Sequence, residues 1–403
     1  MKLYDDLVWR GLIKDFSSPE LINKLNNEKL TFYIGTDPTA DSLHLGHLSS
    51  FLISKRLKDY GHNPILLVGG GTGLIGDPRP TEERDTIVKD ELFKNAKALE
   101  NQVTKLFGFK VVNNYDWIKD ISVVDFLRDY GKHFNVNYMI NKDIVRRRLE
   151  SGITYCEMSY MILQSLDYLH LNKTYNCTLQ VAGSDQWGNI TSGIDLIRKK
   201  TGKEVYGFTM PLILDKFGNK FGKSEGNALW IDKNKTSPYE IYQYLINTDD
   251  SKVIEYLKVF TFLSHEEIDK LEEKTKTEPE KRLAQKALAE EVVKFLHGQE
   301  ELEEAIKLSN SLFTGNIKEL TDKEIETIFK GITPINSKED TILNIIVNNH
   351  IAVSKREARE FLSNNAITLN GEVINDENHL LDNSRKNYII RKGKKKYYLI
   401  KIN

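Results

Sequence analysis

With 403 residues the chain is too long for one ordinary core, and a prior of roughly 150 residues per domain predicts two or three. Hydrophobic residues at 40% and charged residues at 29% fit a globular protein and exclude a disordered or fibrous one. The best apolar run, Pro64 to Val68, is strand-sized, and Met1 to Arg10 is polar, so neither a membrane span nor a secretory leader is expected.

Only Cys156 and Cys177 are present, which predicts a reducing, cytoplasmic setting without disulfides or a structural metal. A net charge of −1 hides an uneven distribution, for the segment from Arg385 onward carries eight Lys or Arg and no acid.

Along the chain, strands are expected at Thr31–Thr36, Pro64–Gly69, Cys177–Ala182 and Thr209–Leu214. Helices are expected at Leu45–Tyr60, Glu83–Phe107, Ser122–Phe134, Glu157–His170 and Asp185–Lys199. This alternation predicts an α/β domain with a largely parallel sheet over residues 1–232. Residues 233–332 turn Glu/Lys-rich and helical, with Pro279 dividing them into several helices. A linker is expected at 333–339, then a small α+β domain at 340–403 with an Asn370-Gly371 hairpin turn.

Two segments imitate nucleotide-binding motifs. Gly71-Thr72-Gly73-Leu74-Ile75-Gly76 fits G-x-G-x-x-G, but Asp77-Pro78-Arg79-Pro80 follows at once, where that fingerprint needs a helix. Gly218-Asn219-Lys220-Phe221-Gly222-Lys223-Ser224 is one residue short of a P-loop and comes late in the domain.

After the first expected strand comes Asp37-Pro38-Thr39-Ala40-Asp41-Ser42-Leu43-His44-Leu45-Gly46-His47. Ser42 or Asp41 is expected to cap the next helix, whose positive end favours anions. His44 and His47 share one face of its first turn, and Gly46 leaves room for a flat base. The pair could equally be surface histidines; a zinc site would need further ligands that no neighbouring cluster offers. Lys220 and Lys223, separated by a small spacer, could clamp a phosphoryl group, or could be an ordinary basic turn.

Together, in this order, HLGH and KFGKS resemble the HIGH and KMSKS signatures of class I aminoacyl-tRNA synthetases. A second pattern narrows the resemblance. Tyr160, Gln164 and Asp167 fall within about 60° on an otherwise apolar helix, so the stripe should face a polar ligand or a polar network. With Tyr33-Ile34-Gly35-Thr36-Asp37, Gly73 to Pro78, Asn113-Asn114-Tyr115-Asp116-Trp117 and Gly183-Ser184-Asp185-Gln186-Trp187-Gly188-Asn189, the chain resembles bacterial tyrosyl-tRNA synthetases, collinearly to about Phe262 and more loosely beyond.

That resemblance implies a Rossmann-like catalytic domain, a helical anticodon-side domain and an S4-like RNA-binding domain. It implies L-tyrosine, Mg·ATP and tRNA(Tyr) as substrates, and a homodimer. Tyr33 and Asp167 would meet the substrate phenol; Asp77, Tyr160 and Gln164 its ammonium, with Gln180 beside them. Gly35, Asp37, Gly46, Gly183, Asp185, Gln186 and Ser224 would line the adenylate site, and Thr39, His44, His47, Lys220 and Lys223 would act on the phosphates. In a tryptophanyl relative the Tyr33/Asp167 pair would be misplaced, since indole offers a donor alone.

One departure stands out. The family's mobile-loop lysine is missing after Gly76-Asp77-Pro78, leaving Arg79 or Arg84 as substitutes. At the other end, Lys355, Arg356 and Arg359 follow a Ser354/Glu357 capping box, and Lys394, Lys395 and Lys396 finish a basic face for tRNA phosphates.

Overall fold

A computed structural model describes residues 2–78, 87–149, 152–224, 227–314, 317, 320–330, 334–338, 340–381, 385–393 and 396–402. The chain forms two compact units: residues 1–235 with 248–288, and residues 236–247 with 289–403.

The first unit is built on five parallel strands: β1 (Thr31–Thr36), β2 (Asn63–Val68), β3 (Lys110–Asn113), β4 (Cys177–Gly183) and β5 (Tyr206–Met210), in the order β3-β2-β1-β4-β5. Helices α1 (Leu45–Asp59), α2 (Lys89–Phe107), α3 (Tyr155–Tyr175) and α4 (Trp187–Thr201) provide the crossovers. The order reverses between β1 and β4, and in such sheets the crevice beyond the strand ends at that point binds ligands. The free edge of β5 is covered by an antiparallel segment, with Lys14 N–H on Thr209 O at 2.7 Å and Ser17 N–H on Gly207 O at 3.0 Å.

Several boundaries differ from the sequence expectation. β5 lies earlier than Thr209–Leu214, ending at Met210 because Pro211 has no N–H to extend the ladder. β3 was not foreseen: four residues between a helix and Asn114 are too short for a pattern to show. Among the described residues α2 begins at Lys89, not Glu83. Ser122–Phe134 breaks into a short α-turn, a π-helix over Phe126–Tyr130 and a 3₁₀ turn.

α1 is capped by His44, not by Ser42 or Asp41. Ser42 instead accepts from Gln102 at 3.1 Å and from Asp232 N–H at 3.2 Å, while Asp41 pairs with Lys235.

α3 is apolar around most of its circumference because it is buried on nearly every side. Its start is fixed by a Thr154/Glu157 capping box and by a buried Arg148–Glu157 ion pair at 3.0 Å.

The second unit holds helices Pro238–Ile246, Gln299–Thr314 and Asp322–Ile328, and a five-stranded sheet of its own. Ile342, Ile345, Ile346, Leu362, Ile367, Ile390 and Ile400 form the core around that sheet. Asn370 and Gly371 both take positive φ and join strands Ile367–Leu369 and Glu372–Val373, as the Asn-Gly signal predicts. Ser354 caps helix Lys355–Ser363, but Glu357 reaches back to Val353 N–H at 2.6 Å, so the capping box is not closed on Ser354 itself.

Candidate active site

A cavity of about 440 Å³ opens where β1 and β4 part. Tyr33, Gly35, Asp37, Thr39, His44, Gly46, His47, Asp77, Tyr160, Gln164, Asp167, Gln180, Gly183, Asp185, Gln186 and Lys220 all line it. Of Lys223 and Ser224 the backbone alone is described, paired with Ala228 and Asn227, and Arg79 and Arg84 lie outside the described residues. A second groove, about 590 Å³, borders β3, but none of these groups lines it. The chemistry, not the size, marks the cavity between β1 and β4.

At the floor, β1 presents Tyr33 and α3 presents Asp167, both fully buried. Among the described residues the Tyr33 hydroxyl has no hydrogen-bond partner, and neither has Oε1 of Gln180 on β4. A buried polar atom of this kind calls for an explanation, and for these two the adjoining cavity offers one, a ligand that completes them. Asp167 is held from behind, with Oδ2 accepting from Asn114 Nδ2 and Oδ1 from Trp117 Nε1, each at 2.8 Å. Burial pushes its carboxyl up to about 7 although these two donors pull the other way.

Asn114 also donates to Thr72 Oγ1 at 2.9 Å and accepts from Gly71 N–H at 2.7 Å. Thr72 then donates to Asp37 Oδ1 at 2.9 Å, and Tyr160 OH donates to Asp37 Oδ2 at 3.0 Å. One chain of hydrogen bonds therefore links the floor of the cavity to its wall. Burial, with Asp37 and Asp77 nearby, raises the Tyr160 phenol well above its usual range. Asp77 accepts from Gln186 Nε2 at 2.9 Å and from Asn189 Nδ2 at 3.4 Å. Thr72, Asn114, Trp117 and Asn189 are supports that the sequence reading did not select. The G-x-G-x-x-G segment forms a 3₁₀ turn over Thr72–Leu74, and serves here to carry Thr72.

At the mouth, the His44 and His47 rings stack with centroids 3.8 Å apart. Nδ1 of His47 accepts from His44 N–H at 3.3 Å, and Nδ1 of His44 from Gly46 N–H at 3.1 Å. Each ring therefore carries its proton on Nε2. Burial, then His44 and Lys220, lowers His47 to about 3, so it is a neutral donor at pH 7. The hairpin that follows Ile213, closed by Asp215 N–H on Asn219 O at 2.8 Å, delivers Lys220 to the rim.

The two signature segments meet backbone to backbone. Leu45 N–H donates to Leu229 O and Leu229 N–H to Gly222 O, each at 2.9 Å. Gly222 has φ +85°, and a Cβ there would lie 2.6 Å from Gly46 N. A Cβ on Gly46 would lie 3.0 Å from Phe221 O, so the space beside that glycine holds the KFGKS backbone. Phe221 anchors this loop by stacking on Phe260 at 4.3 Å.

Residues 25–314 match the family described as tRNA synthetases class I (W and Y). The chain belongs to that family. Residues 324–400 match the tyrosine–tRNA ligase SYY-like C-terminal domain. A tyrosine–tRNA ligase of Pediococcus pentosaceus is 49% identical over 416 residues, covering 100% of both chains, and that of Limosilactobacillus reuteri is 50% identical over 415, again covering both. Among solved structures, a C-terminally truncated mitochondrial tyrosyl-tRNA synthetase of Aspergillus nidulans matches with a TM-score of 0.69 at 32% identity, covering 77% of this chain and 94% of that one. A tryptophanyl-tRNA synthetase of Encephalitozoon cuniculi shares the fold, with a TM-score of 0.56 at 15% identity over 80% of this chain and 89% of its own.

Proposed function

We propose that this chain is a tyrosine–tRNA ligase that forms tyrosyl-adenylate in the cavity between β1 and β4 and then passes tyrosine to tRNA(Tyr). The observation that carries the pocket assignment is the placing of a Tyr33 hydroxyl that has no partner among the described residues beside the buried, doubly supported Asp167 carboxylate at its floor. A phenol fits both, donating to Asp167 and accepting from Tyr33. Phenylalanine would leave the buried Tyr33 hydroxyl unsatisfied and would take from Asp167 the phenol donor, together costing about 2 kcal/mol or more. Asp77, Tyr160 and Gln164 take the substrate ammonium, with Gln180 at the same wall.

In the first step a tyrosine carboxylate oxygen attacks the α-phosphorus of Mg·ATP, and the bond to the pyrophosphate oxygen breaks. The charge that grows on the phosphates is met by Nε2–H of His44 and His47, by the positive end of α1, by Thr39 and by Lys220, with Lys223 and Ser224 on the same loop. Gly35, Asp37, Gly183, Asp185 and Gln186 hold the nucleoside, whereas Gly46, expected to leave room for the base, has its open side filled by His44 and the KFGKS backbone. No side chain becomes covalently attached; rate comes from alignment and fixed dipoles. In the second step a hydroxyl of the terminal tRNA ribose attacks the mixed anhydride at the carbonyl carbon and releases AMP.

A homodimer is part of this reading. Val123, Val124, Leu127, Val136, Tyr138 and Tyr155 expose 45–75% of their surface within one short stretch of sequence, a concentration that suits a subunit interface. No helix among the described residues is long and apolar enough to cross a membrane, and a chain with only two cysteines suits the cytoplasm. Lys355, Arg356, Arg359 and Lys394 to Lys396 would meet tRNA phosphates; Lys394 and Lys395 lie outside the described residues, and Arg359 is already paired with Glu377 at 2.6 Å.

Charging of tRNA with labelled tyrosine in the presence of ATP tests the proposal. Acid-precipitable tyrosine is expected, and folded protein that charges none would contradict it.

A further inference from the structure

Asp167 can read a phenol only if its oxygens are aimed, and one of the two groups aiming it stands at the rim of a groove. Trp117 sits just after β3 at the rim of the groove, half-buried, and offers its indole N–H to Asp167 Oδ1 at 2.8 Å. A hydrogen bond at one edge leaves an indole free to swing about that bond unless something holds its face. Trp117 packs against the core cluster that includes Tyr33 and Tyr168, and its ring face is met by His170. The two rings lie nearly parallel, 9° apart, with centroids separated by 4.2 Å. Among the described residues this is the ring contact that Trp117 makes.

His170 comes three residues after Asp167 on α3, so both stand on one face of that helix. One helix thus grips the indole twice, by its edge through Asp167 and by its face through His170. The His170 ring is itself steadied by Thr174, one turn further on, whose Oγ1 lies 3.4 Å from Nε2. Burial lowers the His170 imidazole below its usual range, which favours the neutral ring suited to stacking.

From this geometry we infer that His170 is a positioning residue for amino-acid selection: by stacking on Trp117 it fixes the hydrogen bond that orients Asp167 toward the substrate hydroxyl. The inference rests on the proposed tyrosine pocket. His170 touches no substrate, and its effect should appear where the phenol is read and not in the phosphate chemistry.

The test is steady-state ATP–pyrophosphate exchange with the full-length wild type, His170→Ala and His170→Phe, using tyrosine and phenylalanine as separate substrates. Stacked aromatic pairs contribute enough that His170→Ala should raise KM for tyrosine about 3- to 10-fold. Its kcat and KM for ATP should stay within about twofold, because the groups at α1 and Lys220 are untouched. Phenylalanine has no hydroxyl to misplace, so the preference for tyrosine over phenylalanine should fall by the same factor. His170→Phe keeps a flat ring against Trp117 and should restore most of that preference.

If His170→Ala leaves the tyrosine KM and the preference unchanged, or if both substrates and kcat decline together with thermal stability, the positioning role is overturned. If His170→Phe fails to rescue while remaining as stable as wild type, stacking is not the means. Absence of tyrosine-dependent exchange in the wild type would instead defeat the functional reading on which this inference stands.

Discussion

Asp167 is the residue whose ionisation the pocket has adjusted most usefully. Its carboxyl is raised to about 7, so below that pH the protonated form dominates in the free protein and is a weaker acceptor for the phenol proton. Tyrosine binding should therefore tighten as pH rises from 6 to 8, a trend read from KM in pyrophosphate exchange. His47, lowered to about 3, stays neutral throughout this range and cannot be the source of the step. Asp167→Asn should flatten the profile as well as weaken binding; a profile unchanged in shape would assign the step elsewhere. Asn114 uses both amide protons and its oxygen in buried hydrogen bonds, so Asn114→Ala should destabilise by about 2 kcal/mol or more in denaturant unfolding and raise KM for tyrosine. The sequence displays Asp167, because a polar stripe on an apolar helix is visible from spacing alone. It does not display Asn114 or Trp117 as supports, because each partner lies 50 or more positions away and is brought close by the β2–β3 crossover.

Elements fix what residues cannot fix alone. The KFGKS loop is seated on α1 through Gly222, whose positive φ and lack of Cβ allow the two backbones to touch. Gly222→Ala should lower kcat for adenylation about tenfold or more, since a left-handed Ala costs about 1–2 kcal/mol before the clash is counted. Tyrosine binding, measured by equilibrium dialysis, should change little because the phenol floor is remote from this contact. Equal losses in both would mean that the glycine serves the whole unit. The long helices and central strands were legible from their periods and caps. The N-cap of α1 was not: histidine is a poor statistical cap, and its role here depends on a second histidine stacking beside it. β3 escaped notice because its four residues complete no repeating pattern, although it closes the sheet edge from which Asn114 and Trp117 depart.

At the scale of the molecule, a parallel sheet with its switch point between β1 and β4 gathers residues from Tyr33 to Lys220 into one cavity. That convergence is why the ordered motifs in the sequence were informative: parallel strands place all their C-terminal ends, and hence the following loops, on one side. The exposed apolar stretch from Val123 to Tyr155 predicts association. Val124→Asp combined with Leu127→Asp should shift the particle from dimer to monomer in analytical ultracentrifugation, and an unchanged mass would place the interface elsewhere. The basic C-terminal surface makes a separable claim. Lys355→Ala with Arg356→Ala should raise KM for tRNA several-fold and weaken its salt dependence, while leaving pyrophosphate exchange intact.

ATP–pyrophosphate exchange measured side by side with tyrosine, phenylalanine and tryptophan tests the central claim most directly. The account predicts exchange that depends on tyrosine, with phenylalanine and tryptophan weaker by about 30-fold or more, the factor that losing both phenol hydrogen bonds in a buried site imposes. Exchange driven best by tryptophan, or by none of the three in folded protein supplied with Mg²⁺, would contradict it.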